Sequence, residues 1–166
     1  MTLKEKINQD FKEAFKAKEE LRVSVLRMLN SSIKNKEMEK RVKLVKEGVK
    51  NYDDLLSEEK ELSDEDVLSV ISIEAKRRKD SIKQFQDGDR PEMAKQEEAE
   101  LKILSVYLPE QMGEEEIRKI VQEAVKESGA TGAQEIGKVM KVLMPRVKGK
   151  ADGNLVNQIV KEELSK

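Results

Sequence analysis

Apolar residues recur along this chain at spacings of three and four, which is the period of a helix with one buried face. Lysines separate the members of the first such set, which are Leu3, Ile7, Phe11, Ala14 and Phe15. A second set runs from Leu21 to Ile33. The two sets predict two amphipathic helices, and we expect the second helix to pair with the first.

The segment 34–61 has a different character, because it is dense in charge and poor in wide apolar faces. Charge runs of this kind are typical of solvated surfaces. We therefore expect a mobile or thinly packed segment with short helical pieces, interrupted near Gly48 and Asn51. We also expect its amide hydrogens to exchange faster than those of the flanking segments.

Clear helix signals return at Ser63. This serine is a predicted N-cap, and the three acidic residues that follow it suit the positive end of a helix dipole. Apolar spacing then predicts a long helix that ends at Gly88. Pro91 fits the first turn of a further helix, whose apolar positions continue to Leu108. The two helices would form an antiparallel hairpin.

Pro109 marks the predicted boundary between two domains, 1–108 and 109–166, because a proline biases the preceding residue away from helical geometry. Beyond it, three short apolar patterns are separated by turns rich in glycine and proline. No strand pattern competes in the sequence. The sequence therefore predicts an all-α fold, with an N-terminal helical domain that contains a long hairpin and a small three-helix C-terminal domain.

Composition restricts the chemistry of the chain. Thirty-three Lys and Arg oppose 34 Asp and Glu, so the formal charge is −1 and any attraction of a polyanion must come from local clustering. The absence of Cys and His excludes thiol redox chemistry, zinc fingers and serine triads. Neither a signal-type segment nor a run of about 18 apolar residues occurs. We therefore expect a soluble, cytoplasmic protein without a membrane partner.

One stretch near the C-terminus, Gly137–Lys150, gathers positive charge without any acid. Its five cations are Lys138, Lys141, Arg146, Lys148 and Lys150. Gly149 and Gly153 would let backbone amides approach an anion, and the helix that begins after Asp152 would offer its first amides to a phosphate. The five cations and two glycines form the predicted nucleic-acid site. The alternative is a solubilising loop in which Asp152 caps the helix.

Other candidate sites are weaker. The text "VKGKADG" lacks the Walker A pattern, because Met144 and Ala151 stand where that motif needs Gly and Ser or Thr. The basic cluster Lys76–Lys79 spans a full helical turn and is expected to be solvated or salt-bridged. Glu97 and Glu100 have no histidine at metal-binding spacing. We therefore expect no catalytic residue, no metal and no cofactor.

The segments "YLPEQMGEEEI", "IGKVMKVLMPRVKGKADGNLVNQIVKEEL" and "KRRKDSI" resemble the YqeY proteins. The C-terminal half of that family is similar to the tail domain of GatB, the tRNA-binding subunit of the glutamine-dependent tRNA amidotransferase. The fixed order of "GKVM", "LMP", "VKGKADG" and "LVNQ" carries the resemblance, which covers nearly the whole chain.

The resemblance implies an all-helical protein that binds tRNA through its C-terminal domain, without DNA specificity. A tRNA amidotransferase or synthetase assembly is a further expected partner. Amide transfer occurs in other parts of the amidotransferase, so carbon–nitrogen ligase activity with glutamine as amido donor would attach to this chain only by association. The leading hypothesis is a non-catalytic tRNA-binding protein. The alternative is a protein–protein adaptor, in which the apolar surplus of the N-terminal helices docks a partner without direct RNA contact.

Overall fold

A computed structural model describes residues 1–49 and 62–165 of the chain. Its α-helices are α1 (Leu3–Ala17), α2 (Glu20–Lys46), α3 (Asp64–Asp87), α4 (Pro91–Ser105), α5 (Glu114–Ser128), α6 (Ile136–Val147) and α7 (Gly153–Leu164). A short 3-10 helix, Ala133–Glu135, precedes α6. The described ranges contain no β-strand, and the predicted all-α class is confirmed.

The helices form two compact units. The first, Met1–Tyr107, contains α1 to α4, and the second begins at Leu108 and contains α5 to α7. Helix α4 ends at Ser105, earlier than the apolar pattern predicts. The chain turns there, and the buried Tyr107 donates its hydroxyl hydrogen to Asp10 of α1 at 2.6 Å. That hydrogen bond ties the end of the first unit to its beginning.

In the first unit α1 packs against α2, as predicted, and α3 packs against α4. Ser63 and Asp66 form a reciprocal capping box at the start of α3, with N···O distances of 3.2 and 3.1 Å. The cap at Gly88 and Pro91 at the start of α4 are also confirmed. The largest fully buried side chains of this unit are Ile7, Leu26, Leu29, Ile33, Ile71 and Leu104.

Helix α2 is longer than the sequence pattern predicts. Residues 34–46, which we expected as short thinly packed pieces, belong to one continuous helix. Two ion pairs join this part of α2 to other helices: Lys4 of α1 lies 2.5 Å from Glu37, and Lys40 lies 3.6 Å from Asp66 of α3. The expectation of short helical pieces was wrong, whereas the expectation of thin packing is confirmed, because no residue of α2 after Ile33 is buried.

The predicted interruption near Gly48 is confirmed. Helix α2 ends at Lys46, and Gly48 has a left-handed φ of +102°, which glycine adopts without steric cost. The predicted interruption near Asn51 lies outside the described residues. Faster amide exchange in this region stays a prediction.

Ion pairs within α3 and between α3 and α4 involve two of the weaker sequence candidates, which are the basic cluster Lys76–Lys79 and the pair of Glu97 and Glu100. The Arg78 Nε atom lies 2.9 Å from Glu100 and 3.4 Å from Glu97, and all three side chains are mostly buried. Arg77 pairs with Glu74 at 3.0 Å, so this basic cluster is partly salt-bridged, as predicted. Within the described residues, no group of three or more Asp or Glu side chains is arranged to hold a metal ion.

The second unit has its own core between α5, α6 and α7. Its fully buried side chains include Ile117, Val121, Val139, Leu143, Ile159 and Val160. Arg118 of α5 contacts Glu162 and Glu163 of α7 at 3.1 and 3.3 Å. Hydrogen bonds to Glu114 and Glu162 raise the pKa of the Arg118 guanidinium. The three helices predicted after Pro109 are therefore confirmed, whereas their status as an independent domain stays a prediction.

Candidate nucleic-acid interface

Helix α6 has a buried apolar side and an exposed side that carries two lysines. Val139, Leu143 and Val147 are buried in the core of the second unit. Lys138 and Lys141 are exposed and lie about 60° apart around the helix axis, since each residue advances the helix by about 100°. They therefore share a face, and that face points to solvent.

Lys138 forms an ion pair with Glu135, one turn before it. The hydrogen bond from Lys138, together with one from the Thr131 amide, lowers the pKa of the Glu135 carboxyl. The lysine side chain is 63% exposed, and exposed ion pairs contribute only about 0–1 kcal/mol. A phosphate can therefore replace Glu135 as the partner of Lys138 at small cost.

Arg146 has two carboxylate partners on α5. Its guanidinium lies 2.5 Å from Glu127 and 3.6 Å from Glu123. Sequence spacing did not reveal these contacts, because the acids precede Arg146 in a different helix. Arg146 is exposed, but its guanidinium is already paired with carboxylates that join α6 to α5.

The loop between α6 and α7 is fixed by its backbone. Gly149 has a φ of +75°, and its carbonyl accepts a hydrogen bond from the Gln111 side chain at 2.9 Å. The Lys150 carbonyl accepts one from the Met112 amide at 2.8 Å. Lys148 and Lys150 are exposed on either side of this glycine. The loop thus presents two lysines from a backbone that is held in place.

Asp152 changes the role predicted for the start of α7. Its carboxylate accepts hydrogen bonds from the amides of Asn154 at 2.8 Å and Leu155 at 3.2 Å. These two amides are therefore not available to a phosphate, and that expectation was wrong. The predicted cap by Asp152 is confirmed, and it satisfies amide groups that the helix itself leaves unpaired. A purely solubilising role for the loop stays an alternative.

The two glycines of the predicted site differ in what they require. Replacing Gly149 by valine is expected to lower the stability of the second unit by about 1–2 kcal/mol, because a β-branched residue is strained at positive φ. Gly153→Ala is the matched control, since a Cβ at Gly153 meets nothing within 4 Å. Urea unfolding checks both variants. Equal stability of Gly149→Val and the wild type would show that the loop tolerates another conformation.

The solvent face of α7 was missed in the sequence. Asn154, Asn157, Gln158 and Lys161 are exposed there, and together with Glu162 they line a shallow depression of about 380 Å³. The sequence prediction selected charged residues and glycines, so it did not include these uncharged side chains. The signal was present in "GNLVNQ", where three carboxamides follow the helical spacing i, i+3 and i+4.

Comparison with known proteins decides the family. A family model described as "Yqey-like protein" matches residues 4–164 of the chain. The chain belongs to the YqeY family. This YqeY-family chain is similar to "Altered inheritance of mitochondria protein 41, mitochondrial" of Kluyveromyces lactis, with 32% identity over 119 residues, which are 70% of this chain and 55% of that protein.

A protein with the same name from Lachancea thermotolerans is 30% identical over 102 residues, which are 61% of this chain and 46% of the relative. The YqeY-family chain thus spans about half the length of the curated relatives it matches. Among its described helices, none combines the length and the apolar character needed to cross a membrane.

Proposed function

We propose that this YqeY-family protein is a non-catalytic RNA-binding protein whose second unit binds the phosphate groups of tRNA. The observation that supports the proposal is a local excess of positive charge. All five cations of the predicted site are exposed, and residues 136–151 contain no acid, in a chain whose formal charge is −1. Such a surface attracts a polyanion locally although the whole molecule does not.

We divide the five cations into main and secondary phosphate contacts. Lys141, Lys148 and Lys150 are exposed on the solvent face of α6 and on the loop after it, and we assign them the main phosphate contacts. Lys138 and Arg146 are secondary to Lys141 and Lys150, because a phosphate must replace the carboxylates that already pair with Lys138 and Arg146. Contacts of this kind position an RNA without reading its sequence.

A resemblance supports tRNA as the proposed class of RNA. The C-terminal half of the chain resembles the tail domain of GatB, a tRNA-binding subunit, which supports tRNA as the ligand. A tRNA amidotransferase or synthetase assembly is the second proposed partner, and the cytoplasm is the proposed location. No step of amide transfer is assigned to this chain, whose proposed role is binding.

Salt dependence tests this proposal directly. The affinity of the wild-type protein for tRNA is expected to fall linearly on a logarithmic plot against salt concentration, with a slope of about −2 to −4 for three to five phosphate contacts. Fluorescence anisotropy across a salt series measures it. RNA that copurifies with the protein, identified by sequencing, should be enriched in tRNA. Absence of measurable tRNA binding at low salt would overturn the proposal.

The alternative function, a protein–protein adaptor, is favoured by one feature of α2. Met38, Val42 and Val45 are exposed by 59%, 48% and 53%. Met38 follows the buried Leu29 by nine residues, which places the two on opposite sides of the helix. This apolar stripe therefore lies away from the core of the first unit.

An adaptor would depend on that stripe rather than on the lysines of α6. The variant Met38→Gln/Val42→Gln should then lose a protein partner that the wild type binds. Retention of the protein partner by this variant would remove the support for an adaptor. Both changes are at exposed positions, so the helix itself is expected to fold.

A further inference from the structure

We infer that the solvent face of α7 binds unpaired nucleotides of the RNA by hydrogen bonds to their base edges and ribose hydroxyls, with Asn154 and Asn157 as the specificity-determining residues. The inference rests on the proposed function and deepens it. The cationic loop would supply sequence-independent attraction to phosphates, and the neighbouring helix face would select the kind of RNA.

The geometry of α7 separates two kinds of surface. Val156, Ile159 and Val160 are buried on its inner side. The opposite side carries Asn154, Asn157, Gln158 and Lys161, all exposed. The hydrogen bonds of Asp152 engage the Asn154 backbone amide and leave its side chain out of the cap. The carboxamides of Asn154 and Asn157 therefore lie on the solvent side of the helix, beside the shallow depression that they line.

Carboxamides suit this ligand chemically. Each provides two N–H donors and one carbonyl acceptor, so a single side chain can pair with a base edge or with a ribose hydroxyl. Sequence-specific RNA recognition is largely directed at unpaired nucleotides, whose edges are accessible. The described α7 face contains no aromatic side chain, so hydrogen bonding rather than base stacking would carry recognition.

Folding alone does not favour Asn157. Asparagine is a weak former of helix interiors, and Glu and Lys are better choices for an exposed position there. The solvent face of α5 uses such residues, with Glu115, Lys119 and Lys126 exposed. Helix α7 instead exposes an asparagine in its second turn.

Charge continuity favours RNA as the occupant. Residues 153–161 contain no acid, and they follow directly on the loop that carries Lys148 and Lys150. Glu162 also lines the depression, but its carboxylate is already paired, since it binds Arg118 at 3.1 Å and accepts a hydrogen bond from Gln158 at 3.0 Å. The face also lacks the aromatic and large apolar anchors on which protein interfaces depend.

The experiment compares two variants of the full chain, Asn154→Ala/Asn157→Ala and Lys148→Ala/Lys150→Ala. Binding of each to tRNA and to a fully paired RNA duplex is measured across a salt series. The asparagine variant is expected to bind tRNA about 10-fold or more weakly, with duplex affinity and salt slope unchanged. The lysine variant is expected to weaken both ligands alike and to reduce the magnitude of the slope by roughly 1.4 to 1.8.

Alanine is a better helix former than asparagine, so loss of folding does not explain a loss of affinity in the first variant. Equal weakening of tRNA and duplex by the asparagine variant, with a smaller slope, would reduce α7 to a phosphate contact and overturn the inference. Unchanged tRNA affinity would also overturn it, including the case in which a protein partner is lost instead. In both cases the lysine variant still decides the proposed function separately, and wild-type protein that binds no RNA would overturn both.

Discussion

Reversing three charges, in the variant Lys141→Glu/Lys148→Glu/Lys150→Glu, is expected to weaken tRNA binding by about 100-fold or more. Each change would remove a proposed charge-assisted contact to a phosphate, which contributes at least about 1 kcal/mol, and would add a repulsive charge. The logarithmic salt slope should become less steep by roughly 2 to 3, because fewer counterions are released. Fluorescence anisotropy with labelled tRNA measures both quantities, and circular dichroism confirms that the helices remain.

Net charge alone is tested by a matched control. The variant Lys12→Glu/Lys16→Glu/Lys95→Glu changes the charge by the same amount at exposed positions of the first unit. We expect it to reduce tRNA affinity only slightly, since separated surface charges are screened by salt. If both triple variants lose affinity equally, the binding depends on overall charge and not on the proposed site. If neither does, the lysines near Gly149 are a solvated surface and the adaptor becomes the better hypothesis.

Helix ends were predictable where their chemistry is local. Helix α3 has Ser63 as its N-cap and Gly88 as its C-cap, as expected, because the residues that form a helix cap lie within one turn of the helix end. The length of α2 was not predictable in the same way. Glu37 and Lys40 are held by Lys4 and Asp66, which are distant in sequence, and periodicity contains no information about such pairs.

In the candidate site, too, local features were predictable and contacts between helices were not. The five cations could be counted in the sequence, and the cap formed by Asp152 was visible as an alternative. The carboxylates beside Arg146 belong to α5. Gln111, which precedes α5 in the chain, donates a hydrogen bond to the Gly149 carbonyl of the loop. These contacts arise from packing of three helices, so they required the structure. They are the reason that we propose Arg146 as a weaker phosphate contact than Lys141.

Leu143→Ala is expected to destabilise the second unit by about 2–5 kcal/mol. Leu143 is fully buried between the three helices, and truncation both removes apolar contact and leaves a cavity. A small unit with a free energy of unfolding of only several kcal/mol has little margin for such a loss. Hydrogen exchange measured by mass spectrometry should therefore show α5, α6 and α7 exchanging faster, and tRNA binding should weaken with them.

The same measurement tests whether the two units are separate domains. Ile71→Ala makes an equivalent cavity in the first unit, where Ile71 is fully buried. If each unit has an independent core, Leu143→Ala should accelerate exchange only after Leu108, and Ile71→Ala only before it. Leu143→Met, which nearly conserves volume, is the control and should cost less than about 1.5 kcal/mol. Acceleration of exchange throughout the chain by either alanine variant would mean that the units unfold together, and the predicted domain boundary at Pro109 would then have no thermodynamic meaning.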